Sequence, residues 1–311
     1  MATESTTSMG RCEPIAAAIG HTAIRVRDLS AALWNATEIM GLRESDRDGD
    51  TVYLTNGPAH HSVQYIASDV DAVDHLGFEA AGPDALERLR ARLAEENVPI
   101  VSTRALDDAV GDGVAFTAPE GFTVEVYTGM PKDQPSYIPR GVRPKRIGHF
   151  NLLVEDPPAM IEFFRRLLDF RICDYLGDRG AFLRCNTEHH GLAILNGPGN
   201  LHHHGWEVTS MAEVARLGDV LHENGQSLVW GPIRHGIGEN IAGYYVDPTG
   251  LVVEYYADME HIYNEHEFEP RTWDPVASHK WYSFWAPLRP EPDWRQRGLP
   301  PFAAVGAAAR A

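Results

Sequence analysis

The sequence predicts an α+β fold of four modules, each a strand, a helix and two or three further strands, arranged as two tandem domains. One observation is a repeat. IGHTAIRVRDLSAAL from Ile19 is matched by IGHFNLLVEDPPAMI from Ile147, DHLGFEA at Asp74 by HHHGWEV at His202, and PEGFTVEVY at Pro119 by PTGLVVEYY at Pro248. A second is the preserved spacing. His21 to His75 and His149 to His203 both span 54 positions, while His75 to Glu125 and His203 to Glu254 span 50 and 51. A third is that each of the four histidines opens a short apolar strand leading into a helical pattern, so each half divides again. Internal repetition of this kind outranks local propensity as evidence.

Taken in order, residues 1–15 are small and polar without period and read as a disordered or loosely packed N-terminus. Residues 16–130 form the first domain. Its second helix is expected over Pro83 to Asn97, with Leu86, Leu89 and Leu93 on one face, and a strand over Thr51 to Leu54. Residues 131–145, with Pro131, Pro135, Pro139 and Pro144, read as a linker. Residues 146–260 form the second domain. Met160 to Leu168 places Ile161, Phe164 and Leu168 on one face, Gly180 to Leu183 reads as a strand, and Ser210 with Glu213 reads as a capping box before Val214, Leu217 and Leu221. Residues 261–311, rich in Trp and Pro, read as an irregular extension packed over the second domain in a structural role.

The chain has 311 residues, 43% of them hydrophobic, and no long apolar run, which fits a soluble protein of two domains. Its formal charge of -17 argues against nucleic acid or an anionic membrane as partner. Three cysteines, Cys12, Cys173 and Cys185, form no CxxC pair, and the N-terminus has no basic start or apolar core of a signal peptide. The expected location is the cytoplasm, and the expected assembly a homo-oligomer.

The stretch Gly231 to Tyr256 carries the most chemistry. In Asp247-Pro248-Thr249-Gly250, Pro suits a type I turn and Gly the left-handed position after it, a three-residue hairpin loop with a bulge. Asp247 opposite Leu251 then places Tyr244 opposite Glu254, on the same face. A glutamate inside LVVEYY is either a solvent-facing strand residue or a buried carboxylate needing a positive partner. The repeat supplies that partner: His149, His203 and Glu254 are a two-histidine, one-carboxylate set from three strands, the arrangement of non-haem Fe(II) oxygenases. Strand alternation selects His203 only if His202 and His204 point away, and puts Asn151 on the face of His149, where an amide can hold a ligand or cap the backbone. The first half keeps His21, His75 and Glu125. It has Ala115 where the second has Tyr244 and Leu106 where the second has His235, so it reads as vestigial or structural, with a second metal left open.

With these residues assembled, the chain resembles the type I extradiol ring-cleavage dioxygenases of the vicinal oxygen chelate superfamily, and within them the homoprotocatechuate 2,3-dioxygenase and catechol 2,3-dioxygenase branch. The resemblance rests on GHFN, EHHGLAIL, LHHHGWEV and RHGIGENIAGYYVDPTGLVVEYY, and covers Ile19 to Trp281. It implies paired βαβββ modules, two per domain, and a metal in the C-terminal domain, Fe(II) or alternatively Mn(II), held by His149, His203 and Glu254. It further implies His190 as the distal histidine, with His189 as a rival, Tyr244 as the active-site tyrosine, His235 as its neighbour and Asn151 beside the oxygen site. Where that branch grips a substrate carboxylate with arginines, this chain has Trp230 and either Lys280 or Trp281, which favours an uncharged ring substituent.

The implied reaction is extradiol (meta) cleavage of a catechol by O2, giving a muconic semialdehyde-type product. His190 would stabilise oxygen and then act as acid, and Tyr244, oriented by His235, would assist proton movement at the substrate oxygen. Two other readings are a metal-dependent isomerase or lyase of the same superfamily, which needs no O2, and a non-enzymatic binder of an aromatic compound, which needs no metal triad.

Overall fold

In the computed structural model, which describes residues 14–133 and 140–308, every module has one strand, one helix and three strands. The first runs β1 (Ala16–Val26), α1 (Leu29–Trp34), β2 (Arg43–Asp48), β3 (Thr51–Thr55) and β4 (Val63–Ala67), and the second β5 (Ala72–Ala80), α2 (Pro83–Glu95), β6 (Ile100–Ser102), β7 (Gly113–Thr117) and β8 (Thr123–Tyr127). The third runs β9 (Arg146–Val154), α3 (Pro157–Leu168), β10 (Arg171–Leu176), β11 (Gly180–Arg184) and β12 (Leu192–Asn196), and the fourth β13 (Asn200–Glu207), α4 (Met211–Glu223), β14 (Trp230–Arg234), β15 (Ile241–Val246) and β16 (Val252–Ala257). The N-terminal residues 1–13 and linker residues 134–139 lie outside the described residues.

The modules pair through their first strands. The first sheet has the order β2-β3-β4-β1-β5-β8-β7-β6, and the second β14-β15-β16-β13-β9-β12-β11-β10, extended by β17 (Arg271–Trp273) beside β10. In each sheet the two opening strands run antiparallel at the centre, and each is flanked by the last strand of its own module running parallel to it. His149, His203 and Glu254 therefore sit on three adjacent strands, β9, β13 and β16, as do His21, His75 and Glu125 on β1, β5 and β8. The turn argument gives the observed register. Tyr244 faces Glu254, Ala115 faces Glu125, and Gly250 takes a φ of 88°.

The helical faces follow the sequence pattern with small shifts. Leu86, Leu89 and Leu93 of α2 and Val214, Leu217 and Leu221 of α4 are buried, while α3 buries Met160, Phe163, Phe164, Leu167 and Leu168 and leaves Ile161 half-buried. Helix α3 starts earlier than the spacing predicts because Pro157 takes its first turn and the Asp156 carboxylate accepts the Ala159 N–H at 3.0 Å. The capping box at α4 is different from the expectation. Ser210 makes no side-chain cap, and Glu213 reaches past it to accept the Thr209 N–H. Phe78 of the first half packs against Phe150, Phe164 and Phe170 of the second at 5.8–5.9 Å between ring centroids, so one apolar core spans both halves.

The extension is more than a cover for the second domain. Leu299 pairs with Leu201 of β13, the Val73 N–H of β5 donates to the Pro300 carbonyl at 2.9 Å, and the Arg25 guanidinium lies 3.8 Å from the Phe302 ring centroid. Over residues 299–302 the chain thus passes from contact with the second half to contact with the first. Among the described residues no helix is long and apolar enough to cross a membrane.

Candidate metal centre

Glu254 Oε2 lies 2.8 Å from His149 Nε2 and 3.1 Å from His203 Nε2, and all three side chains are buried. Burial, the largest influence on Glu254, pushes its pKa up, yet the two imidazoles together hold it well below the usual carboxylate range. The other oxygen is occupied, since the buried Asn240 amide donates to Glu254 Oε1 at 3.1 Å. Sequence reasoning missed Asn240. Its signal was an amide in the GIGEN loop, four residues before Tyr244 on the strand facing Glu254.

Glycines make room for the first ligand. A Cβ on Gly205 would lie 2.1–2.5 Å from ring atoms of His149, and one on Gly148 would lie 1.8 Å from the Tyr256 hydroxyl, whose ring tilts against His149 at 4.9 Å. The repeat preserves the device, with Gly77 against His21 and Gly20 against Tyr127. This is why HLGFE and HHGWE share their glycine.

His203 is aimed by a relay that strand alternation conceals. A bulge between Leu201 and His203 turns His202 to the cavity wall instead of away from it, which corrects the parity expectation. His202 Nε2 donates to the Trp294 carbonyl at 2.8 Å. A carbonyl only accepts, so neutral His202 must present a bare Nδ1, and burial pushes its pKa down to about 3. His203 Nδ1–H donates to that nitrogen at 2.7 Å. The lone pair of His203 Nε2 is thereby left pointing at the Glu254 side, the tautomer a metal ligand needs. His204 lies on the opposite face, buried against Trp206 at 5.6 Å between ring centroids.

The centre forms the floor of a cavity of about 550 Å³. His190, Asn151, Tyr244, His235, Trp230 and Trp281 all line it. The His190 ring centroid lies 5.0 Å from that of His149, and burial followed by the His149 charge pushes its pKa well below the ordinary value, so the imidazole is neutral. His189 faces the other way, with Nε2 3.2 Å from the Asp174 carboxylate. The Asn151 amide oxygen is buried without a hydrogen-bond partner, and Asn151 pairs across the sheet with His203.

Tyr244 and His235 form a second relay. His235 Nδ1 donates to the Tyr282 carbonyl at 2.7 Å, so its Nε2 accepts the Tyr244 hydroxyl proton at 2.6 Å. Trp230 stacks on Tyr244 at 5.1 Å and donates from Nε1 to the Leu288 carbonyl at 2.9 Å, which makes it both wall and clamp. Trp281 is half-buried on the wall among Phe182 and Ile237, whereas Lys280 is exposed outside it. Arg179, Arg289 and Arg295 also reach the cavity, the last two as exposed side chains at its mouth. The extension supplies Trp281, Tyr282, Arg289, Trp294 and Arg295, so it builds the site as well as wrapping the fold.

Two imidazole nitrogens and one carboxylate oxygen converging beneath an open cavity suit a divalent metal with free coordination positions. A sequence profile of the glyoxalase/bleomycin resistance protein/dioxygenase superfamily matches residues 18–126 and again 146–255. The chain belongs to this superfamily. A curated relative, the manganese-dependent 2,3-dihydroxybiphenyl 1,2-dioxygenase of Geobacillus genomosp. 3, is 24% identical, covering 83% of this chain and 90% of its own. The Mn(II)-bound glyoxalase of Novosphingobium aromaticivorans superposes with a TM-score of 0.82 at 27% identity, over 92% of this chain and 95% of that one. The homoprotocatechuate 2,3-dioxygenase of Brevibacterium fuscum, in complex with 3,4-dihydroxyphenylacetate, gives 0.84 at 21% identity over 92% and 93%, a likeness of fold. The vicinal oxygen chelate architecture that the resemblance implied is thus the observed one.

Proposed function

We propose that this protein is an extradiol dioxygenase that opens a catechol ring with O2, on a metal held by His149, His203 and Glu254. The observation that carries the reading is the placement of a two-histidine, one-carboxylate centre beside both a neutral histidine, His190, and the Tyr244–His235 relay, all on one cavity. The Geobacillus relative supports it, since breaking the 1,2 bond of a 2,3-diol is cleavage outside the diol pair.

Fe(II), or Mn(II), bound there would supply the Lewis acidity that lets catechol oxygens ionise and the one-electron chemistry that O2 requires. The chain does the rest. Tyr244 meets the substrate oxygen, oriented by the hydrogen bond it donates to His235 Nε2, which the Tyr282 carbonyl holds in the accepting tautomer. His190 presents a neutral N–H to the oxygen side, and the unpartnered Asn151 carbonyl oxygen holds a donor next to it. Both oxygen atoms enter the product, a muconic semialdehyde, and no external reductant is consumed. Leu153, Leu176, Phe182, Ala193 and Ile237 give the wall an apolar character that suits an alkyl or aryl substituent, with Arg289 and Arg295 at the mouth.

The Novosphingobium glyoxalase favours a second reading, a metal-dependent isomerase at the same centre. One experiment separates them. Protein loaded anaerobically with Fe(II) is given alkyl, aryl and unsubstituted catechols, then O2. A yellow product and one O2 consumed per ring are expected, and no product from any of the catechols would sink the dioxygenase.

We also infer a cytoplasmic homo-oligomer. Cys173 and Cys185 are buried free thiols, and the extension exposes Val276, Phe284, Trp285 and Leu288, an apolar surface of the kind interfaces cover. Light scattering at micromolar concentration should show more than one chain per particle.

A further inference from the structure

The first half repeats the metal geometry without the cavity chemistry. His21 Nε2 lies 3.0 Å from His75 Nε2 and 3.0 Å from Glu125 Oε2, and His75 Nε2 lies 3.6 Å from the same oxygen. A point about 2.0–2.1 Å from all three atoms, the usual bond length of a histidine or carboxylate to a small divalent cation, lies just off the plane of that triangle. The ligands converge as the donors of one ion would.

Independent features prepare these side chains. The Asp74 carboxylate accepts the His75 Nδ1–H at 2.9 Å, which in the neutral imidazole leaves Nε2 to bind an ion, and is itself held by Arg25 Nε at 2.7 Å. Carboxylate, histidine and metal form the usual outer-shell arrangement of such sites. Asp74 occupies the place of His202 in the repeat, next to a β-bulge of its own. Glu125 Oε1 accepts the Leu106 N–H at 2.6 Å, where Asn240 serves the second half, so only Oε2 faces the histidines. Gly77, two residues after His75, leaves room for the His21 ring.

The surroundings are shut. The counterpart of His190 is His61, tied to the Gln64 amide at 2.9 Å and 3.4 Å from the Asp107 carboxylate, with the Tyr53 ring 5.3 Å away. His21, His61, Gln64, His75, Asp107 and Glu125 are all at most 7% exposed. Gln64 and Asp107 occupy His61, so no neutral imidazole is free beside this triad, and an ion bound as the chain folds needs no open approach.

We propose that His21, His75 and Glu125 hold a second divalent first-row cation, closed to substrate, that pins β1, β5 and β8 together. It is a structural ion, which explains why this half keeps its ligands while Leu106 and Ala115 stand where His235 and Tyr244 do the chemistry. The inference does not depend on the dioxygenase reading.

The test counts Mn(II) bound per chain after chelator treatment, reloading and removal of free ion. The full-length protein should bind two, Glu254→Ala one, and Glu125→Ala one. Asp74→Asn, at a partly exposed position, should weaken one site about 10–100-fold without changing ring-cleavage activity. In the Glu254→Ala protein, Mn(II) should still raise Tm. One ion per full-length chain, with none in Glu254→Ala, overturns the proposal. One ion in the full-length chain and none in Glu125→Ala would instead support this site and overturn the catalytic one.

Discussion

Tyr244 donates its hydroxyl hydrogen bond to His235 and not the reverse, because the Tyr282 carbonyl 2.7 Å from His235 Nδ1 can only accept. Removing the hydroxyl as Tyr244→Phe should lower kcat by about 10²-fold, the scale of a lost acid–base group. His235→Asn should cost less and move the acidic limb of the pH–rate profile. An unchanged profile in both variants would show that the pair only shapes the wall.

Asn240 is a positioning residue for the carboxylate ligand. Asn240→Ala leaves a buried Glu254 oxygen without its donor, which should cost about 1–3 kcal/mol of stability and weaken Mn(II) binding about 10–100-fold. Equilibrium dialysis measures the affinity, and an unaltered value would remove Asn240 from the site.

The Gly205→Ala substitution would place a methyl 2.1–2.5 Å from the His149 ring. The ring must move, so the variant should fold with a loss of about 1–3 kcal/mol and fail to retain metal in the second half. Gly205→Ala with full metal content and full activity would contradict the packing described here.

Asp247 links the hairpin to pH. Its carboxylate accepts the Thr249 and Leu251 N–H groups and the Thr249 hydroxyl, yet burial, the largest influence, pushes its pKa up to about 6. The folded chain then binds the proton more tightly than the unfolded one. Stability from this group is fully present below the unfolded value near 4 and is lost as pH rises to about 6. Relative to Asp247→Asn, the unsubstituted protein should lose up to about 3 kcal/mol between pH 4 and pH 7. Urea unfolding at the two pH values checks it, and a constant difference would refute the shift.

Repetition and turn chemistry made much of the molecule legible. The repeat locates His149, His203 and Glu254, and the DPTG turn alone puts Tyr244 opposite Glu254, as in the observed register. Four residues escaped for physical reasons. His202 sits at a bulge, which breaks the two-residue alternation on which the parity argument depends. Trp294 and Tyr282 act through backbone carbonyls, which any residue type carries, so composition cannot reveal them. Asn240 looked like a loop residue because its partner is 14 positions away on another strand. The arginines at the cavity mouth lie partly in a segment with no period to read.

The path of the extension bears on how the two halves can change. A tail that begins beyond β16 props both relays with Trp294 and Tyr282 and then packs Phe302 against Arg25, so it ties the N-terminal domain to the walls of the second-half cavity. Substitutions around Val73 or Phe302, far from any substrate, would loosen the catalytic wall. The two copies are therefore no longer equivalent partners, because one tail carries contacts on which both depend.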